Sequence, residues 1–120
     1  MARYIAITDI HGELRKLESV LSKIDLRPDD IFVFMGDYID RGPNSKGVVE
    51  KVLEIKEQFK TITLMGSHEY ALLHAKQDDY YDYLFWNYGG PATVKSYGGR
   101  FENILATHGD FFRNLKFFIL

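Results

Sequence analysis

The sequence predicts an α/β fold: a β-α-β-α-β unit with a parallel sheet, followed by a helical cap. Three observations predict it. Apolar runs of strand length recur three times before residue 66, amphipathic helical patterns separate them, and strand signals then give way to short helical segments.

"RYIAIT" (3–8) is the first strand, and "GELRKLESVLSKI" (12–24) is the first helix, with Leu14, Leu17, Leu21 and Ile24 spaced by three and four on one face. "DIFVFM" (30–35) is a near-continuous apolar run, the second strand. "SKGVVEKVLEIKEQF" (45–59) returns to the helical period through Val48, Val49, Val52, Leu53 and Ile55, and "KTITLM" (60–65) is the third strand. Strands buried on both faces and separated by single helices imply a parallel sheet with right-handed crossovers. From Ser67 onward, "EYALLHAKQ", "DDYYDYLFWNYGG", "PATVKSYGG" and "FENILATHGDFFRNLKFF" read as short helices punctuated by Gly pairs and one Pro. The eight Tyr, nine Phe and one Trp lie mostly here, and they are expected to pack a helical cap rather than to stack bases. The expected organisation is one domain over 1–120, with a core over 1–76 and a helical segment over 77–120.

Composition narrows the function. A formal charge of −2 supplies no broad basic field, so a nucleic-acid polymer is not the expected partner. The chain has no cysteine, which excludes thiolate metal sites and disulfides and leaves Asp, Glu, His, Asn or water to hold any metal. There is no signal-peptide pattern and no apolar run near membrane-spanning length, so the expected location is cytoplasmic, without a membrane partner.

In an open parallel sheet, ligands bind beyond the carboxyl ends of the strands. All three strands here end in polar clusters: "TDIHG" with Asp9 and His11, "GDYIDRG" with Asp37, Asp40 and Arg41, and "GSHE" with Ser67, His68 and Glu69. Parallel strands align those ends, so the three clusters should form one site. Carboxylate with some imidazole suits Mn²⁺, Mg²⁺ or Fe²⁺. Asp9 and His11, two apart on an extended segment, can chelate one ion, and Asp37 can add an oxygen that bridges to a second. Arg41 offers a planar donor fork for phosphate. His68 can protonate a leaving oxygen if Asp40 holds its ring.

"DIHG", "GDYIDRG" and "GSHE" resemble the D-x-H-G, G-D-x-x-D-R-G and G-N-H-E signatures of the calcineurin-like metallophosphoesterases. The resemblance is to the phosphoprotein phosphatase branch, which includes bacterial Ser/Thr phosphatases and diadenosine tetraphosphatases. "FWNYGGPATVKSYGG" (85–99) further resembles the W-x-x-N-G-G-x-x-T-x-x-S-Y stretch of bacterial members, with Tyr88 where Asn is usual. This resemblance implies the first half of an α/β/β/α sandwich. It implies Asp9 and His11 on the first metal, Asp37 bridging, His68 as general acid paired with Asp40, and Arg41 on the substrate phosphate. It also implies hydrolysis of a phosphate ester by metal-activated water. Mn²⁺ is the expected ion, with Fe²⁺ and Zn²⁺ as alternatives; the family uses two ions, and one is expected here.

Two departures bear on that expectation. Ser67 stands where the family carries an Asn ligand of the second metal, and a neutral hydroxyl is a shorter, weaker donor. The family also supplies two later histidines, for which this chain offers only His74 and His108, both expected to be structural. Glu69 is expected to be a helix first-turn acid or a supporting partner rather than a ligand. Taken alone, Asp9 reads as a helix cap, a reading that His11 and the other motifs reverse; a surface salt bridge is the alternative for Asp40 and Arg41, whose place between Gly36 and Gly42 argues instead for a shaped loop. Two functional classes follow: a phosphoesterase weakened by Ser67 and the missing histidines, acting on a phosphoprotein or nucleotide, or a non-catalytic protein that binds a metal or phosphate. In the second class an exposed sheet, or the terminal "NLKFFIL", drives self-association.

Overall fold

The computed structural model describes residues 2–118. Three four-residue strands, β1 (Tyr4–Ile7), β2 (Ile31–Phe34) and β3 (Lys60–Thr63), form a parallel sheet in the order β1-β2-β3. Helix α1 (Leu14–Ser22) joins the first pair of strands and α2 (Ser45–Gln58) joins the second. Four helices follow: α3 (Ser67–His74), α4 (Asp79–Asn87), α5 (Gly90–Ser96) and α6 (Phe101–Arg113). The expected α/β order is therefore present. The pairing runs Ile7 to Phe34 and Phe34 to Thr63, so the three strands end level with one another and release their loops at one edge.

Burial departs from the expectation that all strands are covered on both faces. Only β2 is buried at every residue, while β1 alternates exposed and half-buried positions. The reason is position: β2 is central, and β1 and β3 pair on one side each. Phe32 and Phe34 stack on one face of β2 at 5.8 Å between ring centres, within the main core. Phe59 at the end of α2 meets Phe32 edge-on, and Tyr38 and Phe111 extend the same aromatic layer. Leu17 of α1 and Val48, Val49, Val52 and Ile55 of α2 join it, as their spacing predicts. Asn44 starts α2 by accepting a hydrogen bond from the Gly47 N–H.

The aromatic segment divides. Phe85, Phe101, Phe111 and Phe112 pack inside, whereas Tyr80, Tyr83, Trp86 and Tyr88 stay exposed. Asp78 caps α4 by accepting from the N–H groups of Tyr80 and Tyr81. The segment expected to be one helix through Phe118 ends at Arg113. The chain then returns to the sheet, where the Lys116 N–H donates to the Thr63 carbonyl and the Met65 N–H donates to the Lys116 carbonyl. His108 lies at a kink within α6, at φ −127° and ψ 23°. Of the terminal "NLKFFIL", Phe117 and Phe118 are exposed, and residues 119–120 lie outside the described residues. Among the described residues, no helix is long and apolar enough to cross a membrane.

Candidate active site

The loops that leave the sheet edge are stitched to one another through their backbones. His11 N–H donates to the Asp37 carbonyl at 3.0 Å and Gly12 N–H to the Tyr38 carbonyl at 2.9 Å. Gly42 N–H returns to the His11 carbonyl at 2.9 Å, and Arg41 N–H reaches the Gly89 carbonyl at 3.0 Å. Such contact needs bare backbone: a Cβ on Gly36 would stand 2.6 Å from Gly66 Cα, and one on Gly42 would overlap the His11 carbonyl.

Backbone strain marks the same residues. The non-glycine residues with positive φ among those described are Asp9 (53°), His11 (44°), Asp37 (58°), Asp40 (76°) and Arg41 (74°). A left-handed L-residue costs roughly 1–2 kcal/mol, a penalty that persists where surrounding structure enforces it and that concentrates at functional sites. All five are residues that the strand-end motifs single out.

The fold brings Asp9, His11 and Asp37 together, each offering a ligand atom, with all three atoms within 4.8 Å of one another. The His11 Nδ1–H donates to the Ile39 carbonyl at 2.8 Å, which fixes the tautomer and leaves the Nε2 lone pair free as a ligand. Two carboxylates and an oriented imidazole fit a divalent cation of the Mn²⁺, Fe²⁺ or Zn²⁺ type. Asp9 does not serve as the cap of α1: the residue at that position is Glu13, with no side-chain cap hydrogen bond.

His68 stands next to this group, its ring edge-on to His11 at 4.7 Å between centres. Its Nδ1–H donates to Asp40 Oδ2 at 2.7 Å, and that bond holds the imidazole above its ordinary pKa against the opposing effect of burial. Asp40 is 1% exposed, so it is not half of a surface salt bridge with Arg41. Arg41 is exposed and has no ion-pair partner among the described residues. Ser67 is the exposed first residue of α3, and with His68 it borders a cleft of about 200 Å³ between α3 and α4.

One support, Thr93, was not assigned from the sequence, and a second, Glu69, is the first-turn acid and supporting partner that was expected. Thr93 of α5 donates to Asp40 Oδ1 at 2.7 Å, accepts from the Asp40 N–H at 2.8 Å and lies 3.0 Å from Ser45 Oγ. The signal available was the threonine of "GGPATVKSY", 53 residues from the aspartate it holds. Glu69 lies in the first turn of α3, fully buried, and its carboxylate gathers the N–H groups of Gly66, Asp37, Tyr38 and Ile39 at 2.7–3.3 Å. Burial pushes its pKa up to about 7, while those donors pull it down. One side chain thus ties the third loop to the second.

The other histidines are occupied elsewhere. His74 Nδ1–H donates to the Tyr70 carbonyl at 2.9 Å, and its ring stacks on Tyr70. Tyr97 O–H bonds His108 Nδ1 at 2.6 Å; burial raises the phenol pKa and lowers that of the imidazole, so the hydroxyl is the donor.

The family model for calcineurin-like phosphoesterases matches residues 2–119. A Caenorhabditis elegans protein named as a serine/threonine-protein phosphatase is 38% identical over 71 residues, 58% of this chain and 16% of that protein. The serine/threonine-protein phosphatase 6 catalytic subunit of Drosophila melanogaster is 34% identical over 83 residues, 68% of this chain and 27% of that protein. Among solved structures, one described as a diadenosine tetraphosphatase superposes with a TM-score of 0.51 at 23% identity, covering 69% of this chain and 45% of that one. A cold-active protein tyrosine phosphatase gives 0.63 at 19% identity, covering 95% and 38%; at such identities both likenesses concern the fold. The chain spans about a sixth and about a quarter of the lengths of the two curated relatives. With the match running nearly end to end, the chain belongs to the calcineurin-like phosphoesterase family.

Proposed function

We propose that the chain carries a metal-dependent phosphoesterase site of the Ser/Thr phosphatase type, which hydrolyses a phosphate ester. The observation that carries this reading is the convergence of the Asp9, His11 and Asp37 donor atoms within 4.8 Å, beside the His68–Asp40 pair. Asp9, His11 and Asp37 hold the ion, with Mn²⁺ first and Fe²⁺ or Zn²⁺ as alternatives. A bound divalent ion supplies Lewis-acid polarisation of the phosphate and activation of water at neutral pH. Arg41 binds the phosphate oxygens through its guanidinium fork. His68 delivers a proton from Nε2 to the leaving oxygen, and Asp40 keeps the ring in the required tautomer and raises its basicity. Ser67 offers only a weak oxygen to a second ion.

A second reading, a protein that binds one ion or phosphate without turnover, is favoured by the donor set. Three carboxylate and imidazole ligands form the one such group among the described residues. In that reading β1, paired only with β2 and carrying Tyr4 at 68% exposure, is the surface for self-association. Mn²⁺-dependent hydrolysis of p-nitrophenyl phosphate, abolished in Asp37→Asn, supports the enzyme. Stoichiometric binding of one Mn²⁺ per chain with no turnover supports the second reading and overturns the first.

A further inference from the structure

The cleft beside His68 differs in character from the phosphate site. Ala71, Leu84, Phe85 and Tyr88 wall it, with His68 and Ser67 at its rim. Ala71 and Phe85 are almost fully buried and form its floor, whereas Tyr88, at the end of α4, is half exposed and presents a ring face together with a hydroxyl. The Gly89 carbonyl next to Tyr88 accepts the Arg41 N–H, so this wall is tied to the loop bearing the guanidinium.

We propose that this cleft is the leaving-group subsite and that it selects aryl phosphate monoesters, in which a single aromatic ring carries the ester oxygen. The inference rests on the phosphoesterase reading, because the position of the leaving group follows from the role of His68. With Nδ1 bonded to Asp40, the proton available for transfer is on Nε2, and the ester oxygen must lie within hydrogen-bond reach of it. The group beyond that oxygen then enters the cleft that begins at His68. A volume of about 200 Å³ accommodates one six-membered ring, given that apolar cavities of about 150 Å³ bind benzene. No acidic or basic side chain lines it other than the His68–Asp40 pair already engaged with each other, so a charged leaving group finds no counter-ion. A serine-like alkyl group would leave the floor of Phe85 and Ala71 facing water. In the reaction, the bond from phosphorus to the aryl oxygen breaks and a bond to water oxygen forms. His68 gives its proton to the departing phenol oxygen, and a proton of the attacking water replaces it, so the products are a phenol and inorganic phosphate.

Binding tests this independently of turnover. The Mn²⁺-loaded chain is titrated with inorganic phosphate, methylphosphonate and phenylphosphonate by calorimetry, with the fluorescence of its single tryptophan, Trp86, as a second readout. Phenylphosphonate is expected to bind about tenfold or more tighter than methylphosphonate, as burial of a ring face implies. In Tyr88→Ala and Leu84→Gln that ratio should fall toward one, while affinity for inorganic phosphate stays the same. Equal affinities for the two phosphonates, with phosphate still bound, would overturn the aryl subsite and leave the phosphoesterase reading standing. Failure of phosphate itself to bind would overturn both. A ratio retained in both variants would place the ring elsewhere and also refute the assignment.

Discussion

Replacing Thr93 with valine tests whether a threonine from α5 holds the His68–Asp40 pair in place. The substitution keeps the branched shape and deletes one hydroxyl in a site where Thr93 and Asp40 are both essentially inaccessible. Three bonds are lost: the 2.7 Å donation to Asp40 Oδ1, the 2.8 Å acceptance from the Asp40 N–H and the 3.0 Å bond with the Ser45 hydroxyl. The N–H keeps a second acceptor in Ser45 Oγ at 3.1 Å, so most of the loss falls on the carboxylate. A hydrogen bond to a buried charged group is worth about 1.5–3 kcal/mol, and the two neutral bonds add about 1–2, so the expected loss is roughly 2–5 kcal/mol. That is a large share of the ~5–15 kcal/mol that holds a typical domain folded. With an m-value of about 1–3 kcal/mol/M in urea, the midpoint should fall by about 1 M or more at unchanged slope. Thr93→Ser, which keeps the hydroxyl, should lose only about 1 kcal/mol for its methyl. A merely structural role would not move the imidazole of His68. Release of Asp40 should bring that pKa back toward the ordinary histidine value, read from the ring resonances as a function of pH. A Thr93→Val protein no less stable than Thr93→Ser, with His68 titrating as before, would refute the argument.

Further outcomes follow from the same contacts. Glu69→Gln turns an N–H donor toward two of the four backbone N–H groups that now share the carboxylate; leaving them unpaired should cost about 2–5 kcal/mol in denaturant titrations. The Arg3 guanidinium and the Arg27 N–H hold the Asp30 carboxyl at about 2, below its ordinary value. Its contribution to stability is complete above the unfolded pKa, near 4, and is lost as pH falls toward 2, so Arg3→Leu should flatten the acid limb of a stability profile there. Ser67→Asn replaces the hydroxyl with a better oxygen ligand. Calorimetry should show stronger binding of a second Mn²⁺ with little gain in p-nitrophenyl phosphate turnover, and full activity from that change alone would contradict the donor-set argument.

The parts of the fold legible in the sequence are those written in local patterns. "IFVF" is apolar at every position because β2 is covered on both faces, and the leucines of α1 repeat at helical spacing because one stripe meets the core. The convergence of the candidate site was legible for the same reason, since each strand ends in its own short motif and parallel pairing brings the ends level. What periodicity does not encode is contact across the chain. Thr93 finds Asp40 only after α5 has packed on α2, and Lys116 reaches β3 only because α6 stops at Arg113. The exposure of β1 was also out of reach, since an alternating and a covered strand differ there by partners rather than by residue type. Glu69 was placed correctly in the first turn of α3, but the four backbone groups it collects belong mostly to another loop.

The left-handed backbone at Asp9, His11, Asp37, Asp40 and Arg41 has an evolutionary consequence. At such positions glycine relieves a conformational penalty, so the change that erases a functional group can also make the fold sturdier. Arg41→Gly, which removes the exposed guanidinium without emptying the core, should melt no lower than the parent. Selection for folding alone would thus drift toward glycine at the exposed Asp9 and Arg41, whereas the buried Asp40 is also kept by its bonds to Thr93 and His68.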